Sequence, residues 1–167
     1  MIIILKNNER LICDDFKFKC VIGKAGKATN KIEGDKKTPR GTFTLGNLFY
    51  RSDKKNKPQS NLKCIEINKR MGWCDDTKSK KYNRLIKLPS SNSHEKLYKK
   101  ESIYDLILVL NYNMNPIVKG KGSAIFIHVA KKNYKKTEGC IGLKKTHLLK
   151  ILEIIEKNTK VKIVSQR

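Results

Sequence analysis

The sequence predicts a mainly β domain with appended helices, an α+β arrangement, and three observations carry that reading. Short apolar runs such as Ile2–Leu5, Ser123–Ala130 and Val161–Val164 have the length and composition of strands. Phe16-Lys17-Phe18-Lys19-Cys20 alternates strictly, so one face is apolar and its lysines form the wet face. Helical spacing appears from Leu148 to Lys157, where Leu148, Ile151, Leu152 and Ile155 make one stripe. A chain of 167 residues can bury a real core but has no room for a second domain of ordinary size. Residues 1–167 are therefore expected to form a single domain.

Taken in order, Met1 to Leu5 reads as the first strand of a hairpin that turns at Asn7-Asn8 and returns through Leu11-Ile12-Cys13. Its apolar run stops at Lys6, short of a signal-peptide core or a membrane span, so the sequence by itself points to an unexported, cytoplasmic protein with no transmembrane segment. The Gly/Pro punctuation of Gly34–Phe43 marks a tight turn entering a strand. Arg51 to Asn61 lacks hydrophobic periodicity and reads as a mobile surface loop. Asn92-Ser93-His94-Glu95 resembles a capping box that opens a short helix to Lys100, and strands follow at Tyr104–Asn111 and Ser123–Ala130. Thr146 is the expected cap of the late helix, which leaves His147 on its first-turn surface.

Two residues bring chemistry. His128 lies near the end of the Ser123–Ala130 strand, on the side shared by Ala124, Phe126 and Ala130. Cys140 follows Gly139, whose backbone can turn sharply and point a thiol into a cleft. The thiolate is the nucleophile, and a thiol with a pKa of about 8.5 is mostly protonated at neutral pH, so a nearby base is needed. His128 would supply it. On these two residues alone, a buried structural cysteine and a satisfied core histidine are an equal reading.

More of the chain breaks that tie. Gly34-Asp35-Lys36-Lys37-Thr38-Pro39-Arg40-Gly41-Thr42-Phe43, Gly120 to His128 and Thr137-Glu138-Gly139-Cys140 together resemble the L,D-transpeptidase catalytic domain, the YkuD-like family. Its members carry a Thr-Pro-x-Gly-x-Phe turn, a strand-end His and then Ser/Thr-x-Gly-Cys. The resemblance runs from about Ile22 to Leu143, and Tyr82-Asn83-Arg84, His94-Glu95-Lys96-Leu97 and Tyr104-Asp105 are similar to one branch of the family. The commoner pattern has His before the Gly-Cys pair and Arg two residues after the cysteine, where this chain has Glu138 and Gly142.

The resemblance implies a β-sandwich-like sheet with the cysteine at one end of a cleft. It also implies a cysteine acyltransferase, with Cys140 as nucleophile and His128 as base, acting on diaminopimelate-containing peptidoglycan stem peptides outside the inner membrane. A stem peptide would leave its terminal D-amino acid and form a thioester; an acceptor amine would then give a cross-link, and water in its place would give L,D-carboxypeptidase hydrolysis. Backbone N–H groups of Cys140 and Gly139 are the oxyanion candidates, Thr137 would orient the loop, and a carbapenem would trap the thiol. Asn83, Arg84 and His94 are candidate substrate contacts.

A formal net charge of +23 raises a third reading, a module for nucleic acid or an anionic polymer. The lysines, however, are spread along the whole chain with no RNA-recognition, zinc-finger or recognition-helix pattern, so no nucleic acid is expected as a partner. An anionic wall polymer is the simpler use of the charge. Five cysteines, an odd number, argue against a complete disulfide framework, and no recognised spacing of metal ligands or cofactor motif is present.

Overall fold

The computed structural model describes residues 1–7 and 9–164. In chain order its strands are β1 (Ile2–Leu5), β2 (Arg10–Cys13), β3 (Phe16–Val21), β4 (Lys27–Ala28), β5 (Thr38–Pro39), β6 (Gly41–Tyr50), β7 (Cys64–Glu66), β8 (Met71–Cys74), β9 (Leu85–Lys87) and β10 (His94–Lys96). Then come β11 (Leu106–Leu110), β12 (Phe126–Val129), β13 (Ile141–Leu143), the helix α1 (Lys145–Ile154) and β14 (Lys160–Ile163). Two short 3-10 turns cover Ser102–Tyr104 and Lys132–Tyr134.

The main sheet closes on itself. Its order runs β11-β12-β13-β3-β2-β1-β14-β6, and β6 then pairs back to β11. The ten residues of β6 make this possible: Gly41 to Thr44 pair with β14, while Leu45 to Tyr50 pair with β11 through a register shift between Leu108 and Leu110. Such an irregularity bends a strand and lets one element serve two parts of a sheet. The interior holds Ile3, Leu5, Leu11, Leu48, Leu108, Ile127 and Leu143, capped by Leu148, Ile151 and Leu152 of α1. A second cluster lies on the opposite face of β11 and β12, where Ile107, Val109 and Phe126 meet Phe49, Trp73, Leu97 and Tyr104. Both faces of β11 and β12 are thus covered, and that explains their unbroken burial. The expected face for His128 is right: it lies on the Phe126 side, against Tyr104.

Several expectations need correction. No helix starts at Asn92; His94–Lys96 is strand β10, paired antiparallel with β8, and its ladder supersedes a four-residue capping pattern with no apolar stripe behind it. The late helix begins at Lys145 and ends at Ile154, so Thr146 is inside it and the N-cap is Lys144, with no side-chain cap bond. His147 is half-buried, its ring 5.2 Å from that of Phe18. The Arg51–Asn61 loop is anchored, because Arg51 is buried, stacks on Tyr98 at 3.6 Å, binds Asp53 at 2.6 Å and donates to the Lys99 carbonyl. Strand pairing of the Ser123–Ala130 run begins only at Phe126. The first hairpin forms with Leu5 opposite Leu11, while Asn8 of its expected turn lies outside the described residues.

Candidate active site

Three backbone segments from distant parts of the chain meet around the cysteine turn. Thr137 N–H donates to the Ile22 carbonyl at 3.0 Å, and Lys24 N–H to the Thr137 carbonyl at 2.9 Å. The buried Thr38 hydroxyl accepts the Gly23 N–H at 3.0 Å and donates to the Gly139 carbonyl at 2.8 Å. Packing here leaves no room for side chains: a Cβ on Gly23 would lie 2.3 Å from the Lys36 oxygen, and one on Gly139 would lie 3.0 Å from the Lys37 oxygen. Gly139 also has φ +141°, a region where side-chain-bearing residues are strained. These are the physical reasons for glycine before Cys140 and for threonine in the Thr38-Pro39 turn.

The turn's own polar groups are occupied in a particular pattern. Thr137 Oγ1 donates to the Cys140 carbonyl at 2.6 Å and accepts the Gly139 N–H at 3.2 Å. The Gly139 N–H is therefore committed inside the turn. Among the described residues, the Cys140 N–H has no acceptor.

Cys140 Sγ donates to the Ala124 carbonyl at 3.1 Å and accepts the Phe126 N–H at 3.3 Å. Ala124 adopts φ +51°, a left-handed conformation that costs a residue with a Cβ roughly 1–2 kcal/mol. Asn83 holds that residue in place. Its Oδ1 accepts the Ala124 N–H at 3.1 Å and the Trp73 indole N–H at 2.9 Å, and its Nδ2 donates to the carbonyls of Tyr112 and Asn113.

His128 lies in β12, in register with Gly142 of β13, and lines the same cleft as Cys140. Its Nδ1 is 2.9 Å from the Val129 carbonyl, which assigns the proton to Nδ1 and leaves the Nε2 lone pair free. Burial pushes the imidazole down to about 4, partly opposed by that hydrogen bond. Burial likewise pushes the Cys140 thiol up to about 12, although the Phe126 N–H acts in the other direction. Both groups are neutral at rest near pH 7. The Tyr104 ring stands edge-on to the imidazole, with centroids 5.4 Å apart, and Lys99 lies 4.6 Å over that ring while pairing with Glu95.

The cleft has a volume of about 450 Å³. Lysines from several segments border it, among them Lys24, Lys36, Lys99, Lys131 and Lys135. Glu138 pairs with Lys24 there, and that pairing holds its carboxyl below the usual carboxylate range. Gly142 has no access: a Cβ on it would lie 2.8 Å from Val21 Cγ1 and 3.3 Å from Ala130 atoms.

The sequence-predicted residues thus divide. Cys140, His128, Gly139 and Thr137 converge on the cleft. Asn83 is buried behind it, Arg84 is exposed outside its wall, and His94 is held at β10 with Nδ1 2.7 Å from the Asn92 carbonyl. Tyr104 and Glu95 lie in the wall, and no local spacing marks either as a site residue.

A family model for the L,D-transpeptidase catalytic domain, YkuD, matches residues 1–163, essentially the whole chain. The chain belongs to this family. Among solved structures, this YkuD domain is similar to the helical cell shape determining protein Pgp2 from Campylobacter jejuni, with a TM-score of 0.55 and 20% sequence identity. The likeness covers 99% of this chain and 48% of that one, so the L,D-transpeptidase domain spans about half the length of Pgp2. Comparison with the curated proteins gives no match. Among the described residues, no helix of the YkuD domain is long and apolar enough to cross a membrane.

Proposed function

We propose that this domain is a peptidoglycan L,D-transpeptidase that cross-links stem peptides through a thioester on Cys140. The observation that carries the reading is the pairing, in one cleft, of a thiol with a neutral imidazole and a backbone N–H, the imidazole Nε2 and that N–H having no partner among the described residues. In the resting state the S–H is held by the Ala124 carbonyl rather than by His128. On substrate binding the thiol turns from Ala124 and gives its proton to His128 Nε2, while sulfur bonds to the carbonyl carbon preceding the terminal D-amino acid. The oxyanion takes the Cys140 N–H. As the C–N bond breaks, His128 returns the proton to the leaving amine. An acceptor amine then attacks the thioester, loses its proton to His128 and restores the thiol. The lysines at the cleft suit the carboxylates of a stem peptide and the anionic wall around it. A place in setting cell shape, at the wall, is consistent with this chemistry.

Incubation with a disaccharide tetrapeptide followed by mass analysis tests the reading. Cross-linked dimer and free D-amino acid are the expected products, whereas tripeptide alone would mean hydrolysis. Folded Cys140→Ala protein is expected to make neither, while replacement of Cys13, Cys20, Cys64 or Cys74 leaves turnover intact. Normal turnover by the alanine variant would overturn the covalent mechanism.

A further inference from the structure

We propose that Lys31 is a positioning residue for the chemistry at Cys140: it fixes the Lys37 carbonyl on which Gly139 packs, and it holds a permanent positive charge in the wall of the cleft where the sulfur becomes anionic. The inference deepens the thioester reading of Cys140 and rests on it. Lys31 is 3% exposed, the only buried lysine among the described residues, and it lines the cleft together with Cys140. Its ammonium pairs with the Asp35 carboxylate and donates to the Lys37 carbonyl at 2.7 Å. Asp35 closes the loop on itself, accepting the N–H groups of Ile32 at 3.1 Å and Lys37 at 2.9 Å. The Lys37 carbonyl reaches the cysteine turn, since a Cβ on Gly139 would lie 3.0 Å from its oxygen. Lys31 also meets the segment that carries the thiol's acceptor: a Cβ on Gly122 would lie 2.8 Å from Lys31 Cε, and Gly122 is two residues before Ala124. One buried side chain thus braces both segments that hold Cys140.

Taking an ammonium out of water costs several kcal/mol before pairing offsets it, and a neutral donor could brace the Lys37 carbonyl without that cost. A buried cation has a use where negative charge develops close by in a low dielectric. Burial is the first cause that raises the Cys140 thiol, and Glu95 adds to it, whereas the Phe126 N–H, Lys31 and Lys99 act against it. Lys99 is paired with Glu95, and of the two ammonium groups Lys31 has the larger effect at the sulfur. The other titratable groups facing Cys140 are uncharged at rest: burial holds His128 neutral and pushes the Tyr104 phenol well up. On the other side of Lys31, Glu33 engages the Tyr82 hydroxyl, which accepts the Gly122 N–H at 3.0 Å, so Asp35 is the carboxylate bound to the ammonium.

The test reads the thiol directly. Iodoacetamide labelling of Cys140 is followed by peptide mass spectrometry across pH, with the half-buried Cys64, outside the cleft, as internal reference. Lys31→Met is expected to slow Cys140 labelling at about pH 8 roughly tenfold, the effect of one pKa unit on the thiolate fraction. It is expected to lower kcat for release of D-amino acid from a disaccharide tetrapeptide by a similar factor, with KM little changed. Asp35→Asn breaks the same ion pair but keeps the ammonium and removes its countercharge, so it is expected to speed Cys140 labelling several-fold. A merely structural role for the pair would move both variants in one direction. Unchanged labelling in Lys31→Met, slower or unchanged labelling in Asp35→Asn, or a kcat in the active protein that does not follow the labelling rate overturns the proposal. If the Lys31→Met protein does not fold, Asp35→Asn decides alone. Labelling that shifts in opposite directions in a protein that releases no D-amino acid would sink the acyl-transfer reading and leave the charge effect at Cys140 standing.

Discussion

The Thr38 hydroxyl decides which way the Gly139-Cys140 peptide faces. It holds the Gly139 carbonyl at 2.8 Å, and a trans peptide then directs the Cys140 N–H the other way. Thr38→Val, nearly isosteric, would leave the Gly139 carbonyl and the Gly23 N–H without this partner. We expect kcat to fall about tenfold or more with KM little changed, and Thr38→Ser to restore it; a drop in both parameters, unrescued by serine, would reduce Thr38 to a packing residue. His128→Ala is expected to cost roughly a hundred- to ten-thousandfold in kcat/KM. The acid limb of the wild-type pH profile should fall near 4 instead of the usual histidine range, because burial holds the imidazole neutral down to there. A limb near 6.5 would mean that the group titrating in the reaction is not this one.

Among the elements, the small sheet β10-β8-β9 packs on the site through Trp73 and Phe126 and is also clasped to it by the buried Asn83 side chain. Asn83 bonds to Trp73 of β8 and to Ala124 beside the thiol, which ties the sheet to the site. Asn83→Ala strands the Trp73 indole N–H and the Ala124 N–H, and is expected to cost about 2–4 kcal/mol, read by chemical denaturation with tryptophan fluorescence. A loss under about 0.5 kcal/mol would show that the clasp does not hold. The sequence made β1, β2, β3, β12 and β14 legible because alternation and apolar runs report burial directly. It could not show β10, whose half-buried His94 and Glu95 and exposed Lys96 owe their shape to the long-range partner β8. The same split holds in the site: Gly139-Cys140 and His128 were visible as local chemistry. Tyr104 and Glu95 acquire meaning only when separate segments fold together. Asn83, a candidate substrate contact in the sequence, makes four side-chain hydrogen bonds to the protein itself, which only the assembled fold reveals.

At the scale of the whole molecule, two buried neutral groups tie stability to pH. His128 has a folded value of about 4 against an ordinary 6.5, so between those values the unfolded chain binds the extra proton. Stability is therefore full above about pH 6.5 and declines as pH falls toward 4, by on the order of 3 kcal/mol from this residue. Cys140 acts in the opposite direction: with its thiol raised from 9.0 to about 12, stability is full below pH 9 and declines as pH rises toward 12. Denaturation midpoints across pH should show the acid slope in wild type and a shallower one in His128→Gln. Identical slopes would place the acid sensitivity in other groups.

The parallel pairing of β1 with β14 has a consequence for the protein while it is being made. Leu5 must wait for Ile163, and the first half of β6 waits for the same strand. A nascent chain that has emerged through α1 still carries two raw strand edges and an incomplete circuit, the state most open to mispairing with its neighbours. The thiol and imidazole are already out of the ribosome by then. Their cleft is braced by a ring whose last stave arrives after them.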